Sequence, residues 1–379
     1  MKSVRILHLS DLHLGRSFDF LDSVNARIRR QELLATFFKA ISLCKDKDVD
    51  LLLIAGDFFE SNNVDSETMI ALRKVFSSIP DTRIFIALGN HDFMSADLFE
   101  NYVNLENVHI FSSDWEKISI EELNVDVYGR SFGTSHIKRS FFNDFKFNVS
   151  DDAINIMVMH ADIVDREIKS QYNPITIEQI SKSDMDYIAL GHMHKASKAQ
   201  RKGKTSFAYS GSPEGLDLSE TGKKGVYIGE IDKNDCKMEF APINKRLVIR
   251  KEIDVSDCET NNDICHKILG LLVGNESKGN IRNFDKNMYD FYLVGKSDIN
   301  IDTYFIKKKL EDSLFYCRVQ ENVLPDVDIK LLSSEQNASG IFTQNVLSYM
   351  LSNKDSYEAK RALIFGLKAL NGEELKSED

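Results

Sequence analysis

The stretch DYIALGHMHK (186–195) places two histidines two positions apart, directly after a glycine and a short apolar run. On an extended backbone His192 and His194 point to the same side, because side chains alternate with a period of two. On a helix the same spacing would separate them by about 200°. The run therefore predicts a buried strand that presents both imidazoles just beyond its end, although the pair alone is equally compatible with a solvated turn.

Eight apolar runs of this kind lie between Val4 and Ile231 and alternate with amphipathic or polar segments. They are VRILHL (4–9), LLLIA (51–55), RIFIAL (83–88), VDVYG (125–129), INIMVM (154–159), DYIAL (186–190), SFAYS (206–210) and GVYIGEI (225–231). Between them, apolar residues three and four positions apart predict helices around residues 33–41 and 69–76. The alternation predicts an α/β fold whose sheets are covered by helices.

Polar side chains follow five of these runs, at the point where each predicted strand ends. They are Asp11 and His13, Asp57, Asn90 with His91 and Asp92, His160, and His192 with His194. Because the carboxyl ends of strands in an α/β sheet border the usual binding crevice, we expect these side chains to converge. Carboxylate, imidazole and amide groups bind divalent metal ions. A single histidine in such a place is more often structural, but the joint pattern predicts a metal site.

The composition bounds the class of protein. With 379 residues, two or three domains are expected, and 42% hydrophobic with 28% charged residues is ordinary for a soluble chain. No apolar run reaches the roughly 18 residues of a membrane span, and the N-terminus lacks a secretory pattern, so we expect a cytoplasmic protein without a membrane partner. Five scattered cysteines without a CxxC pair predict core thiols and neither disulfides nor a thiolate zinc site.

The net charge of −11 argues against a protein that coats nucleic acid through bulk positive charge. It does not exclude a nuclease, because bound metal ions or a basic partner can supply positive charge locally.

The pattern changes around Ala241 and Pro242, and it predicts three domains. Residues 1–245 carry the strand-end motifs. Residues 246–330 read strand, helix, strand, helix, strand, which predicts a small α/β domain. Residues 331–379 are expected to hold two helices, 341–351 and 356–370, after the polar connector SSEQNASG (333–340). Asp355 and Glu358 suit the start of the last helix and Gly372 suits its end.

Taken together, the strand-end motifs resemble the ordered signature of the calcineurin-like metallophosphoesterases. The motifs are DLHLG (11–15), GDFFE (56–60), GNHD (89–92), MHAD (159–162) and GHMH (191–194). Within that superfamily, YIALGHMHK (187–195) and YSGSPEGLDLSETGKKGVYIGEI (209–231) are similar to SbcD-type DNA repair nucleases, the nuclease subunit of the SbcCD complex. The resemblance implies a metallophosphoesterase β-sandwich flanked by helices, with a small α/β cap domain that guides DNA.

The resemblance also implies two divalent metal ions, most often Mn²⁺. Asp11, His13 and His194 would hold the first ion, Asn90, His160 and His192 the second, and Asp57 would bridge them. Two such ions attract a phosphate anion and stabilise the charge that develops during in-line attack. His91 would act on the phosphate as an acid or electrostatic stabiliser, and Asp92 would orient it or serve as a turn residue. Glu60 stands where relatives in the family often carry a histidine that helps to contact DNA. Either the DNA-facing side differs in this chain, or Glu60 is a solvated residue at the start of a helix.

The function implied is a manganese-dependent exonuclease or endonuclease that processes DNA ends with an SbcC-like ATPase of the SMC/ABC type. The apolar face of the last helix is expected to dock that ATPase or to pack on its own cap, and a homodimer stays open. HIKRSFF (136–142) is a candidate contact to single-stranded nucleic acid, or an ordinary loop. Two other functions stay open: a small-molecule phosphodiesterase or phosphatase of the same superfamily, and a metal-free scaffold, which the full set of ligand-type residues disfavours.

Overall fold

A computed structural model of the chain describes residues 3–62, 64–165, 169–277, 283–297, 299–324, 329–352, 357–370 and 372. Contacts divide the chain into two compact units, Met1–Leu247 and Val248–Asp379. The finer division of the second unit into a cap domain and a C-terminal helical region stays a prediction. Among the described residues, no helix combines the length and apolarity that a membrane crossing requires.

The first unit alternates strands and helices, and all eight predicted strands are present with ends shifted by at most one residue. Its strands are β1 (Val4–Leu9), β2 (Leu51–Ala55), β3 (Arg83–Ala87), β4 (Val108–Ile110), β5 (Glu116–Ile120), β6 (Val125–Arg130), β7 (Ile154–His160), β8 (Asp162–Ile163), β9 (Pro174–Ile175), β10 (Tyr187–Gly191), β11 (Gln200–Lys202), β12 (Thr205–Tyr209), β13 (Gly225–Ile231) and β14 (Cys236–Pro242). Its helices are α1 (Ser23–Asp46), α2 (Ser66–Phe76), α3 (Ala96–Tyr102) and α4 (Ile177–Ser181). A 3₁₀ turn spans Phe141–Asp144.

Two six-stranded sheets form this unit, with the orders β14-β13-β1-β2-β3-β4 and β11-β12-β10-β7-β6-β5. Strands β1 to β4 are parallel to one another, as are β12, β10, β7 and β6. The outer strands β13, β14, β11 and β5 pair antiparallel. Central parallel strands are buried on both faces, which is why they are continuous apolar runs in the sequence.

The core between the two sheets explains how their strand ends meet. Ile6, Leu53 and Phe85 of one sheet pack in the same buried cluster as Ile156 and Val158 of the other. The outer face of the second sheet is covered in part by α4, whose Ile180 joins a separate buried cluster. The predicted helical stripes of α1 and α2 are buried as well. The fold is therefore the predicted α/β sandwich of two sheets flanked by helices.

The second unit follows the predicted strand–helix order. Its elements are β15 (Val248–Asp254), α5 (Asn261–Ser277), β16 (Met288–Val294), α6 (Thr303–Glu311), β17 (Tyr316–Glu321), α7 (Ile329–Leu332), α8 (Ala338–Ser352) and α9 (Tyr357–Leu370). The three strands form a parallel sheet in the order β15-β16-β17. Asp355 and Ser356, predicted at the start of the last helix, lie outside the described residues, as does the side chain of Glu358.

The apolar face of α9 was expected either to dock a partner or to pack on its own cap, and it is covered in part. Leu363, Ile364 and Leu367 are buried and α9 packs against α8, whereas Leu370 of the same face is 43% exposed. Exposed apolar side chains also lie on α8, where Ile341 is 56% and Leu351 is 87% exposed. If these helices bind a partner, α8 offers the better surface.

Candidate metal centre

The carboxyl ends of five parallel strands converge at one edge of the sandwich. Strands β1, β2 and β3 lead into it from one sheet, and β7 and β10 lead into it from the other. All nine residues that the sequence predicts as ligands or catalytic groups end or follow these strands: Asp11, His13, Asp57, Asn90, His91, Asp92, His160, His192 and His194. Their contacts decide which of them can act together.

A first group of ligand-type atoms joins Asp11, His13 and His194, whose side-chain nitrogen and oxygen atoms lie within 4.8 Å of one another. His13 Nε2 is 3.1 Å from His194 Nε2. Asp11 is fully buried, and one of its oxygens accepts a hydrogen bond from the His192 backbone N–H at 2.9 Å. Two imidazole nitrogens that face each other beside a buried carboxylate suit a bound cation.

A second group joins Asp11, Asp57 and His160. His160 Nε2 is 3.3 Å from Asp57 Oδ2 and 3.1 Å from Asn90 Oδ1. The same Asp57 oxygen is 3.7 Å from His13 Nε2, so it contacts a histidine of the first group as well as His160. The ring of His192 packs against the His160 ring, with centroids 5.2 Å apart. Asp57 therefore occupies the position that a bridging carboxylate would take.

The tautomers of two histidines are fixed by acceptors on the far side of their rings. His160 Nδ1 is 3.0 Å from the Ala55 carbonyl oxygen, and His194 Nδ1 is 2.7 Å from Glu220 Oε1. A carbonyl or carboxylate at Nδ1 keeps the proton there and leaves the Nε2 lone pair free toward the centre. The donor set and its orientation thus fit divalent metal ions.

The backbone is strained at the same positions. Asp11, His13 and Asp57 have φ angles of 52°, 50° and 50°, and His192 has a φ of 108°. For residues with a side chain, such left-handed conformations cost about 1–3 kcal/mol each and persist where the surroundings fix them. Here Asp11 N–H donates to the Gly56 carbonyl at 3.0 Å, and His13 N–H donates to the Asp57 carbonyl at 3.0 Å. The strain falls on the residues that point into the centre.

Two positions near the centre must be glycine because atoms of neighbouring residues approach their Cα atoms closely. A Cβ at Gly89 would collide with Asp57 Oδ1, and a Cβ at Gly191 would collide with the Ala55 carbonyl oxygen. These glycines let the strand ends come close enough for the side chains to meet.

The electrostatics of the centre favour a cation beside Asp57. Burial alone would raise the pKa of Asp57, but the neighbouring His160, His13 and His91 outweigh it and hold this pKa well below its usual range. Burial would lower the pKa of His160, yet Asp57 and Asp11 raise it to about 9. Burial and the positive charge of His160 lower the pKa of His192 to about 4. The carboxylates of Asp57 and Asp11 therefore attract positive charge to His160 Nε2, which a proton supplies or, in its place, a metal ion would supply.

The sequence profile of the calcineurin-like phosphoesterases matches residues 4–196, just over half of the chain. The chain belongs to this family. It is 28% identical over 270 residues to the uncharacterized metallophosphoesterase YhaO of Bacillus subtilis (strain 168), a match that covers 68% of this chain and 65% of that protein.

Two further relatives of this calcineurin-like phosphoesterase are named as a nuclease subunit and as a DNA repair protein. The chain is 25% identical over 256 residues to a subunit of the nuclease SbcCD from B. subtilis, covering 58% of this chain and 64% of the relative. It is 24% identical over 272 residues to the DNA double-strand break repair protein Mre11 of Methanopyrus kandleri, a match that covers 63% of this chain and 57% of that protein. The matched stretch thus spans less than two thirds of each relative.

In this phosphoesterase the relation between His91 and Asp92 differs from the expected one. His91 Nδ1 is 3.0 Å from the Glu60 carbonyl oxygen, which leaves its Nε2 free. Asp92 is fully buried and accepts backbone N–H groups from Phe58 at 2.8 Å and Gly89 at 2.7 Å. The prediction that Asp92 orients the His91 ring is therefore wrong: Asp92 fixes the loop that carries Asp57. Burial and the charge of Asp57 raise the pKa of Asp92 to about 6.

Glu60 is not the solvated helix-start residue that was one interpretation of the sequence. It precedes α2 by several residues, and its Oε2 lies 2.9 Å from His13 Nδ1 and 3.3 Å from Arg16 Nη1. The contact of Glu60 with His13 is an ion-pair contact, and His13 Nδ1 has no hydrogen-bond partner among the described residues. His13, Glu60 and His91 form a third group of ligand-type atoms within 4.8 Å. Glu60 therefore belongs to the phosphoesterase site.

Glu220 is a further site residue that the motifs did not predict. Its Oε1 accepts from His194 Nδ1, and its Oε2 accepts from Lys224 Nζ at 2.7 Å and Ser212 Oγ at 2.8 Å. Burial would raise the pKa of Glu220, but His194 and Lys224 lower it to about 2. The residue falls within the stretch 209–231 that resembles SbcD-type proteins, which was the available signal. It would hold His194 in one orientation.

Proposed function

We propose that this phosphoesterase is a two-metal, manganese-dependent nuclease that hydrolyses phosphodiester bonds in DNA. The observation that carries the proposal is that one oxygen of Asp57 lies 3.7 Å from His13 Nε2 and 3.3 Å from His160 Nε2, so that it faces a histidine of each group. The first ion would be held by Asp11, His13 and His194, the second by Asn90, His160 and His192, and both by Asp57. Such ions, when bound, offset phosphate charge and activate water for in-line attack.

His91 is the catalytic group of the proposal. Its Nδ1 is occupied by the Glu60 carbonyl oxygen, and its backbone N–H donates to Asp57 Oδ1 at 3.0 Å. The free Nε2 would hold a phosphate oxygen or donate a proton to the leaving oxygen. In this role His91 contacts the substrate, whereas Asp92 shapes the loop behind it.

DNA is the proposed substrate because the chain is similar to a subunit of the SbcCD nuclease over 58% of its length and to a DNA double-strand break repair protein Mre11 over 63%. With that similarity come the proposed partner, an SbcC-like ATPase, and a cytoplasmic location. The runner-up function is a small-molecule phosphodiesterase. It is favoured by the net charge of −11, which repels long polyanions.

Hydrolysis assays on two substrates test the proposal. Metal-stripped protein would be supplied with Mn²⁺ and given labelled DNA oligonucleotides and bis(p-nitrophenyl) phosphate. We expect both to be cut, and His91→Ala to keep Mn²⁺ binding while turnover falls by roughly 10²–10⁴-fold. His266→Ala, an exposed histidine on α5, is the matched control and should behave like the wild type.

The outcomes separate the alternatives. Cleavage of the chromogenic diester without any cleavage of DNA would replace the nuclease by a small-molecule phosphodiesterase. Absence of hydrolysis of both substrates by Mn²⁺-loaded protein would refute a hydrolytic function. Loss of Mn²⁺ binding in His91→Ala would contradict the role given to His91.

A further inference from the structure

Three aromatic rings lead away from the candidate metal centre, and we call His192, Tyr172 and His136 the aromatic stack. The Tyr172 ring lies 4.8 Å from His192 and 5.8 Å from His136 between centroids, with interplanar angles of 36° and 28°. His192 is partly buried at the centre, Tyr172 is half-buried, and His136 is exposed. The stack therefore connects a candidate metal ligand to the protein surface.

The backbone holds the outer rings in place. Ile137 forms a parallel bridge with Tyr172, in which Ile137 N–H donates to the Gln171 carbonyl and Asn173 N–H donates to the Ile137 carbonyl, both at 2.7 Å. The buried Asn173 side chain donates to the His160 carbonyl oxygen at 2.9 Å. The two loops are thus fixed to the end of β7, so the rings need no ordering when a ligand arrives.

The side chain of His136 is itself held. Its Nδ1 is 2.9 Å from Ser135 Oγ, and its backbone carbonyl accepts from Thr134 Oγ1 at 2.9 Å. An exposed imidazole fixed by its neighbours offers a flat surface for another ring.

Positive charge follows the stack directly. Lys138 and Arg139 are exposed, and within the described part of the chain neither forms a side-chain hydrogen bond or ion pair. Two uncompensated cations beside an exposed ring suit an anion that carries an aromatic group.

We propose that the aromatic stack is a base-binding subsite for single-stranded nucleic acid; this inference rests on the proposed nuclease function and names its substrate class. A nucleobase stacks on His136, and Lys138 and Arg139 hold the adjacent phosphates. The two centroid distances put His136 no further than 10.6 Å from His192. This length corresponds to about three stacked bases at roughly 3.4 Å each, so a nearby phosphate of the same strand reaches the metal centre.

Single strands are selected because the faces of bases within a duplex are covered by their neighbours. Stacking of one base on an aromatic side chain typically changes affinity by roughly 5- to 100-fold and tolerates any base sequence. The subsite therefore predicts a preference for unpaired ends that does not depend on sequence.

Equilibrium binding of two oligonucleotides separates the contribution of base stacking to affinity from that of the phosphate charges. Fluorescence anisotropy would be measured for a labelled thymidine 15-mer and for an abasic 15-mer of the same backbone. His136→Ala and Tyr172→Ala should weaken binding of the thymidine strand by about 5- to 100-fold and leave the abasic strand nearly unchanged. Tyr172→Phe keeps the ring and should bind as the wild type does, and His266→Ala is the matched control.

Equal weakening on both strands, or no weakening in His136→Ala, would overturn the subsite. Because binding is measured without turnover, the result does not depend on hydrolysis. If the wild type cuts neither DNA nor bis(p-nitrophenyl) phosphate with Mn²⁺, the proposed nuclease function fails, while the difference between the two strands still decides the subsite. If Tyr172→Ala also loses Mn²⁺ affinity, its ring positions His192, and His136→Ala alone decides.

Discussion

At the scale of single residues, the same side chain acquires different properties from its neighbours. Three histidines show this. Asp57 raises the pKa of His160 to about 9, despite burial, whereas burial with the His160 charge lowers the pKa of His192 to about 4. Burial alone lowers the pKa of His8 to about 3. Only the first two lie at the candidate metal centre, so position and not residue type decides which histidine bears charge.

His8 predicts a pH dependence of stability. It is fully buried, its Nε2 is 3.2 Å from the Leu190 carbonyl oxygen and its Nδ1 is 2.9 Å from the Tyr187 hydroxyl. Because the folded pKa of about 3 lies below the unfolded value of 6.5, the unfolded chain takes up the proton first. Stability is therefore complete above about pH 6.5 and is lost progressively as the pH falls toward 3.

Between pH 7 and pH 5 the contribution of His8 amounts to about 2 kcal/mol. We expect the free energy of unfolding, measured in urea, to fall between pH 7 and pH 5 in both proteins. In His8→Gln the fall should be smaller than in the wild type by about 2 kcal/mol. An equal fall in both proteins would show that His8 takes up its proton as readily when folded.

The residues that provide the site could be predicted from the sequence, but their supporting contacts could not. Strand-end position and donor chemistry predicted that nine residues meet at one edge of the sandwich, whereas their division into seven ligands and a catalytic pair follows from the family resemblance and stays a prediction. Glu220 was missed because it lies 26 positions from His194, its partner, and nothing in the local pattern marks it. Asp92 was assigned to the wrong neighbour because sequence adjacency to His91 does not reveal that its oxygens face the Asp57 loop.

At the scale of elements, predictability follows burial. Central strands such as β2 and β10 are buried throughout and appear as apolar runs. The edge strands β5, β11 and β14 were not predicted. One or both faces of each strand contact solvent, so polar residues interrupt the apolar run that would mark a strand in the sequence. The start of α8 also differs from the prediction. The helix begins at Ala338, inside the segment 333–340 that was expected to be a polar connector.

The exposed apolar side chains of α8 predict a partner surface. Ile341 is 56% and Leu351 is 87% exposed, so Ile341→Glu and Leu351→Glu should leave the unfolding temperature nearly unchanged. We expect both substitutions to abolish co-purification with the proposed SbcC-like ATPase, since helix-in-groove contacts depend on buried apolar anchors. Leu271→Glu, on α5 with 46% exposure, is the control that should keep the complex. If both α8 variants still co-purify with the ATPase at the wild-type level, the partner surface does not include these α8 side chains.

At the scale of the whole molecule, an acidic chain is proposed to act on a polyanion. The net charge of −11 gives no general attraction to DNA. The positive charge must then be local: metal ions beside Asp57, the exposed Lys138 and Arg139, and a partner. Composition alone therefore does not indicate a phosphoesterase, whereas the ligand-type residues at one edge of the sandwich fit one.

Direct titration of metal-stripped protein with Mn²⁺, followed by electron paramagnetic resonance, tests the central claim that Asp57 joins two metal positions. The account predicts two bound ions per wild-type chain, spin-coupled to each other, and the same for His266→Ala. Asp57→Asn should bind at most one ion, weakly, with no coupling, because the shared carboxylate charge is gone. A wild-type chain that binds no Mn²⁺, or an Asp57→Asn chain that still holds two coupled ions, would contradict the account.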